Sequence, residues 1–289
     1  MKRRWFLAGL ALPAVVASCR AAGNQNATDE RADEREEGLE DVQGEAIRVV
    51  RNSRTLVMAT AANYPPYEQM LETEAVEAST LSDNSDTQVP EPEIVGFDID
   101  LAQLIAKRLD RKLTIVDLEF GALIPALVND EVDMVMAALN PSRSRKQRVD
   151  FSDIYYRARH ALVSLDGYLR PRDLSYQTIG VQAGSVQARY VDTTDELADL
   201  DIVPYPTLEE MFEALDIGAI SGAFLEANVA KQYVRRYPAF EAQIMPSDEP
   251  TGSAIALSKG SPLRRDINRA LADIKSSGEM DSLIIQWFS

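Results

Sequence analysis

Residues 133–139 read DMVMAAL, and this stretch decides the fold. After Asp133 come six apolar side chains with no polar alternation, a run of strand length rather than helix length. A strand covered on one face alternates apolar with polar positions. A continuous run marks a strand covered on both faces, as in a parallel sheet flanked by helices. The flanking segments agree with that reading. Upstream, 55–60 (TLVMAT) is a short apolar strand, and the prolines of 63–67 (NYPPY) enforce a turn or extended loop. Residues 94–97 return as a strand, and Asp98 or Asp100 can cap a helix that puts Leu101, Leu104, Ile105 and Leu109 on one face. Residues 113–118 alternate as a strand, and 121–129 form a short helix with Pro125 near its start. The first half is therefore β-α-β-α-β.

A second unit starts near residue 161. Strands are expected at 178–182, 202–205 and 222–225, with helices from Gly184-Ser185 through 191, over 208–215 and over 226–236. A further strand at 253–258 (SAIALS) and helices near 261–276 and 279–288 complete the chain. The fold class is α/β, with two lobes that are each a mostly parallel sheet flanked by helices. Two such lobes make a crevice at the carboxyl ends of their strands, where ligands bind in open α/β sheets.

The amino-terminal stretch does not belong to that globule. Lys2, Arg3 and Arg4 precede an apolar run from Trp5 to Val16, and Val16-Ala17-Ser18 supplies small residues, which reads as a signal peptide over 1–18. The run is shorter than the roughly 20 residues that a spanning helix needs. Val16-Ala17-Ser18-Cys19 resembles a bacterial lipobox, so Cys19, the only cysteine, is the candidate lipidation site. Arg3-Arg4-Trp5-Phe6-Leu7 also resembles a twin-arginine export signal. The mature protein is expected in the periplasm or at the cell surface, held by a membrane lipid through Cys19, with 19–45 as its acidic tether.

The formal charge of −16 is concentrated. Residues 29–45 hold nine acids and two arginines, and 68–93 hold eight acids with no Lys or Arg. Both stretches read as solvated, the second as an insertion in the first lobe. The remainder is nearly balanced, with no basic patch for nucleic acid. One histidine and one cysteine leave no cluster suited to zinc or another transition metal, and no phosphate-binding glycine loop occurs. No cofactor and no metal are expected.

Seven segments in order resemble the polar amino-acid family of periplasmic solute-binding proteins, the receptors of ABC importers with the type II periplasmic binding-protein fold. They are 64–67 (YPPY), 95–101 (VGFDIDL), 120–127 (FGALIPAL), 142–145 (SRSR), 149–153 (VDFSD), 181–185 (VQAGS) and 256–261 (ALSKGS). The resemblance implies lobe 1 over 46–156 plus 253–289, lobe 2 over 161–245, and a two-strand hinge at 157–160 and 246–252. It also implies a monomer that closes on an amino acid and delivers it to ABC permease subunits. His160 falls in that hinge and is read as structural.

A free amino acid is a zwitterion, and each charge taken out of water needs an opposite partner. The resemblance assigns the carboxylate to Arg145, whose guanidinium fork binds both oxygens in one plane. A second carboxylate contact is assigned to the backbone at Ser185 and Val186, where a helix starts. Relatives often have threonine where Val186 stands, so a hydroxyl contact is lost while the N–H remains. Glu226, where relatives usually carry aspartate, is assigned to the ammonium. Tyr64 and Phe120 match aromatic positions that sandwich the ligand side chain. Ala137, Ala138 and Asn140 line the strand end that offers backbone groups, and Asn140 can also donate through its amide.

Receptors for cationic amino acids in the family carry an aspartate where this chain has Ala61. The expected ligand is therefore a neutral L-amino acid, small and polar like glutamine, or apolar. No catalytic residue is expected and the chain is read as a non-enzyme. The alternatives are a cyclohexadienyl or arogenate dehydratase-like enzyme, with Glu226 or His160 as its acid or base, and a ligand-sensing module.

Overall fold

The computed structural model describes residues 54–71, 93–165, 176–193, 199–245 and 251–289. The signal peptide, Cys19, the tether and most of the acidic stretch after Leu71 lie outside the described residues. Two five-stranded sheets organise the rest. The first runs in the order Lys112–Asp117, Thr55–Thr60, Met134–Val135, Ala256–Leu257, Asp150–Phe151. Its first three strands are parallel and the last two pairings antiparallel.

The unbroken apolar runs follow from two-sided cover. Leu56 and Met58 point into one core with Phe97, Leu101 and Ile105, which the helix Phe97–Arg108 supplies. Val57 and Ala59 point the other way, onto Leu123 and Leu127 of the helix Leu123–Val128. The 133–139 stretch divides likewise, with Met134 and Met136 in the first core and Val135 and Ala137 in the second. Only Met134–Val135 stays in the ladder. The expected longer strand leaves the sheet after Val135, and Ala138 takes a positive φ of 47°. That turn frees the segment to wall a cavity.

The second sheet runs Asp201–Tyr205, Thr178–Gln182, Gly222–Glu226, His160–Leu165, Phe240–Ile244. Three strands are parallel, while His160–Leu165 is antiparallel to both neighbours. Thr207 caps the helix Leu208–Asp216 by accepting from the Glu210 N–H at 3.2 Å, and that helix buries Met211, Phe212 and Leu215. A separate antiparallel pair, Tyr156–Ala158 with Thr251–Ser253, runs between the two sheets. His160 opens a lobe-2 strand instead of lying in that pair. Its ring packs 5.1 Å from Tyr190 and 5.2 Å from Phe224, and burial lowers its pKa to about 4, so it is neutral at physiological pH.

Two local readings are corrected. Glu68, counted among solvated acids, is 0% exposed and starts the strand Glu68–Met70. That strand pairs with Asn63–Tyr64 and Ile94–Val95 in a small antiparallel sheet, so the proline-rich turn folds the chain back on itself. Asp98 and Asp100 do not cap the helix Phe97–Arg108. Its N-cap is Gly96, with φ 145° and no side-chain cap. Glycine is required there because a Cβ would lie 2.1 Å from the Tyr67 carbonyl oxygen, and because L side chains rarely adopt that φ. Gly96→Ala is expected to destabilise the protein by roughly 3 kcal/mol through overpacking and backbone strain together, read as a lower urea midpoint. A midpoint unchanged from wild type would contradict this account.

Candidate functional site

A narrow, partly enclosed cleft lies between the two sheets. From the first sheet's side it is lined by Tyr64, Phe120, Ala137, Ala138, Asn140 and Arg145; from the second by Gln182, Ser185, Val186 and Gln187. Eight of the nine ligand residues expected from sequence meet there. The ninth, Glu226, is not in the lining.

Arg145 is on the helix Arg143–Arg148, whose first turn is fixed by Ser142 Oγ accepting from the Arg145 N–H at 3.3 Å. Its guanidinium reaches in two directions. One Nη donates to the Asn140 carbonyl at 3.0 Å and the other to the Gly184 carbonyl, across the cleft, at 3.1 Å. The guanidinium also lies over Phe120, 5.4 Å from the ring centroid. Burial, helped by Arg189, lowers its pKa to about 10, which still leaves it charged at neutral pH. Arg189 crosses the same gap and donates to Ser144 Oγ at 2.8 Å.

Ser185 precedes the helix Val186–Thr193. Its Oγ accepts from the Ala188 N–H at 3.1 Å and its own N–H goes to the Gln182 carbonyl at 3.1 Å. The helix start is thus held by Ser185, and the backbone N–H offered to the cleft comes from the residues after it. Asn140 also differs from expectation. Its amide donates to the Gly252 carbonyl at 2.9 Å, tying the cavity wall to the hinge pair.

Glu226 ends the strand Gly222–Glu226 and caps the helix Ala227–Arg236. One carboxylate oxygen accepts from the Asn228 N–H at 2.9 Å and from the Asn228 side chain at 3.1 Å. The other accepts from the Val229 N–H at 3.1 Å. Burial nevertheless raises its pKa to about 7, and the cap hydrogen bonds oppose that rise only in part. Glu226 is still next to the cleft: burial raises the pKa of the lining residue Tyr64, and the Glu226 charge raises it further. Asn228 extends the link by donating to the Tyr156 hydroxyl at 3.0 Å, in the hinge pair.

Sequence reasoning missed Gln182 and Gln187. Each is 5% exposed and lines the cleft, and neither amide has a hydrogen-bond partner among the described residues. Gln182 was legible in part, as a polar residue closing an otherwise buried strand; Gln187 carried no signal beyond its place in the first helical turn. No metal-binding group of His, Cys, Asp or Glu occurs among the described residues. No helix there is long and apolar enough to cross a membrane.

Comparison with known proteins agrees with this geometry. Residues 82–289 match the model of the bacterial extracellular solute-binding proteins, family 3. The arginine-binding extracellular protein ArtP of Bacillus subtilis (strain 168) is 31% identical over 240 residues, covering 82% of this chain and 87% of that protein. An ancestral arginine-binding protein, solved bound to arginine and bound to glutamine, is 31% and 30% identical in the two structures. Both have a TM-score of 0.70 and cover 82% of this chain and 99% of the other. The ancestral amino-acid-binding protein AncCDT-1, a precursor of cyclohexadienyl dehydratase, is 25% identical with a TM-score of 0.67, covering 82% and 96%. The two sheets, the strand pair between them and the cleft form a type II periplasmic binding-protein fold, and the chain belongs to the bacterial extracellular solute-binding proteins of family 3.

Proposed function

We propose that this protein is the extracytoplasmic receptor of an ABC-type amino-acid importer, closing its cleft on an L-amino acid and passing it to permease subunits. The observation that carries the reading is Arg145, a partly buried guanidinium in the cleft lining that spends only two of its five N–H donors on carbonyls. A ligand carboxylate satisfies the remaining donors in one plane. The N–H groups of the first turn after Ser185 supply a second anion contact. Glu226, reached through Tyr64, supplies the charge for the ammonium, and Tyr64 and Phe120 hold the side chain.

The ligand side chain is uncharged on this reading. Among the cavity-lining residues there is no carboxylate, Ala61 is buried and neutral, and Gln182 and Gln187 offer amides. Those amides suit glutamine. A second reading is arginine, supported by the name of the Bacillus subtilis relative and by the Tyr64 and Phe120 faces, which can hold a guanidinium. No carboxylate or histidine is among the described residues that line the cleft, which favours binding over catalysis. The solute is held outside the cytoplasm, and we assign membrane attachment to lipidation of Cys19.

Thermal shift with twenty amino acids tests ligand choice, since stabilisation grows with ligand concentration over its Kd. Glutamine should give the largest rise; a larger rise with arginine selects the second reading, and no rise with any amino acid defeats both. Arg145→Ala should weaken binding of the best ligand by roughly 3–5 kcal/mol, or about two to three and a half powers of ten; wild-type affinity in calorimetry would refute its role.

The raised pKa of Glu226 predicts proton release. The empty site holds a proton below about pH 7, while an ammonium favours the ionised carboxylate. Binding at about pH 6 should therefore expel close to one proton and tighten as pH rises towards 7. Calorimetry in buffers of different ionisation enthalpy reads this directly, and Glu226→Gln should abolish it. Cells supplied with labelled palmitate should label the wild-type protein and not Cys19→Ser; labelling of both would place the lipid elsewhere, and labelling of neither would remove the anchor.

A further inference from the structure

Behind the cleft wall lies a pair of carboxyls that the binding reading does not use. Asp98, in the first turn of the helix Phe97–Arg108, is 0% exposed. One of its oxygens accepts from the Ala138 N–H at 2.8 Å and from the Tyr155 hydroxyl at 2.9 Å. Ala138 is the lining residue with the positive φ, so Asp98 anchors the turn that carries the chain out of the sheet and into the cavity wall. Glu68, on the small sheet, is also 0% exposed, and its carboxyl is near enough to that of Asp98 for each to act on the other. Both Glu68 oxygens and the second Asp98 oxygen lack a partner when the two groups are counted only as acceptors.

Two carboxylates cannot share a dry contact as two anions, and the surroundings offer no relief. The titratable groups that face them are Tyr155, Tyr64 and Asp117, and no Lys, Arg or His faces them among the described residues. A proton between the two oxygens turns a repulsion into a hydrogen bond and satisfies the orphaned atoms. We propose that Glu68 and Asp98 share one proton and act as a positioning pair, holding the Ala138 backbone in the shape that walls the ligand cleft. Burial also raises the pKa of both groups, Asp98 to about 7 and Glu68 well above its ordinary value. The titration belongs to the pair rather than to either residue.

A raised carboxyl pKa means that the folded state holds the proton more tightly than the unfolded chain. The stabilisation is complete in acid, below the ordinary carboxylate range; it begins to fall as pH rises through about 7, where the first of the two protons leaves, and the shared proton is lost only at higher pH. Glu68→Gln replaces the shared proton with an amide N–H that does not titrate. Urea unfolding of the full chain from about pH 5 to pH 9 should show wild type losing stability relative to Glu68→Gln as pH rises. Glu226 contributes equally to both proteins and drops out of the comparison. Parallel curves would overturn the proposal.

If Glu68→Gln does not fold, infrared difference spectra of the Glu226→Gln protein replace it. A protonated-carboxyl band should persist at neutral pH, and its absence would be equally fatal. The ligand arm rests on the binding reading and uses L-glutamine and L-arginine as probes. Glu68→Gln should match wild type at about pH 5.5 and bind roughly tenfold more tightly than wild type at about pH 8.5, a change of one unit of proton linkage. Equal affinities at both values would remove the positioning role. If neither probe binds wild type, the functional reading fails, while the unfolding curves still judge the pair.

Discussion

Arg145 is a permanent charge taken largely out of water and held from both sides of a cleft. Its helix belongs to one lobe, yet one of its hydrogen bonds ends on the Gly184 carbonyl of the other. Carbonyl dipoles ease the loss of hydration without cancelling the charge, so the guanidinium keeps donors beyond those two bonds. Phe120 covers one face of the guanidinium, Asn140 presents its carbonyl, and the helix beginning at Val186 points its positive end at the same space.

The opposite charge is treated differently. Glu226 is already satisfied by three N–H donors as the cap of its helix, and even so burial keeps its pKa near 7. A carboxyl poised at that value costs little to hold neutral and, on the proposed reading, gains its charge when a ligand ammonium arrives. The cap serves the helix as the structure stands, and the site as well on the proposed reading. Through Asn228 and Tyr156 it is also linked by hydrogen bonds to the strand pair that runs between the two sheets.

The cavity wall is set by backbone rather than by side-chain chemistry. Ala137 and Ala138 contribute almost no side chain, and their position comes from a strand that stops pairing after Val135. Asp98 holds the turn, and the buried Glu68 beside it ties the wall to the small sheet that also carries Tyr64. One short chain reversal at 63–70 thus positions both an aromatic lining residue and the support of the opposite strand end.

Much of this was legible in the residues themselves. The unbroken run at 133–139 implies cover on both faces because successive strand residues point to opposite sides, and its methionines and its Val135–Ala137 pair do separate into two cores. The ordered motifs brought eight of the cleft's lining residues to light, since strand ends and helix starts fall where local pattern puts them. Tertiary structure decided the rest. Nothing local distinguishes Glu68 from the acids that follow it, because burial depends on a pairing partner some 26 residues away at Ile94–Val95. Nothing local shows that Asp98 would leave its own helix uncapped to hold Ala138, forty residues on. Gln182 and Gln187 became site residues only when a second lobe stood opposite them. Periodicity records which face of an element is dry, whereas the partner of a buried charge is set by contacts between segments distant in sequence.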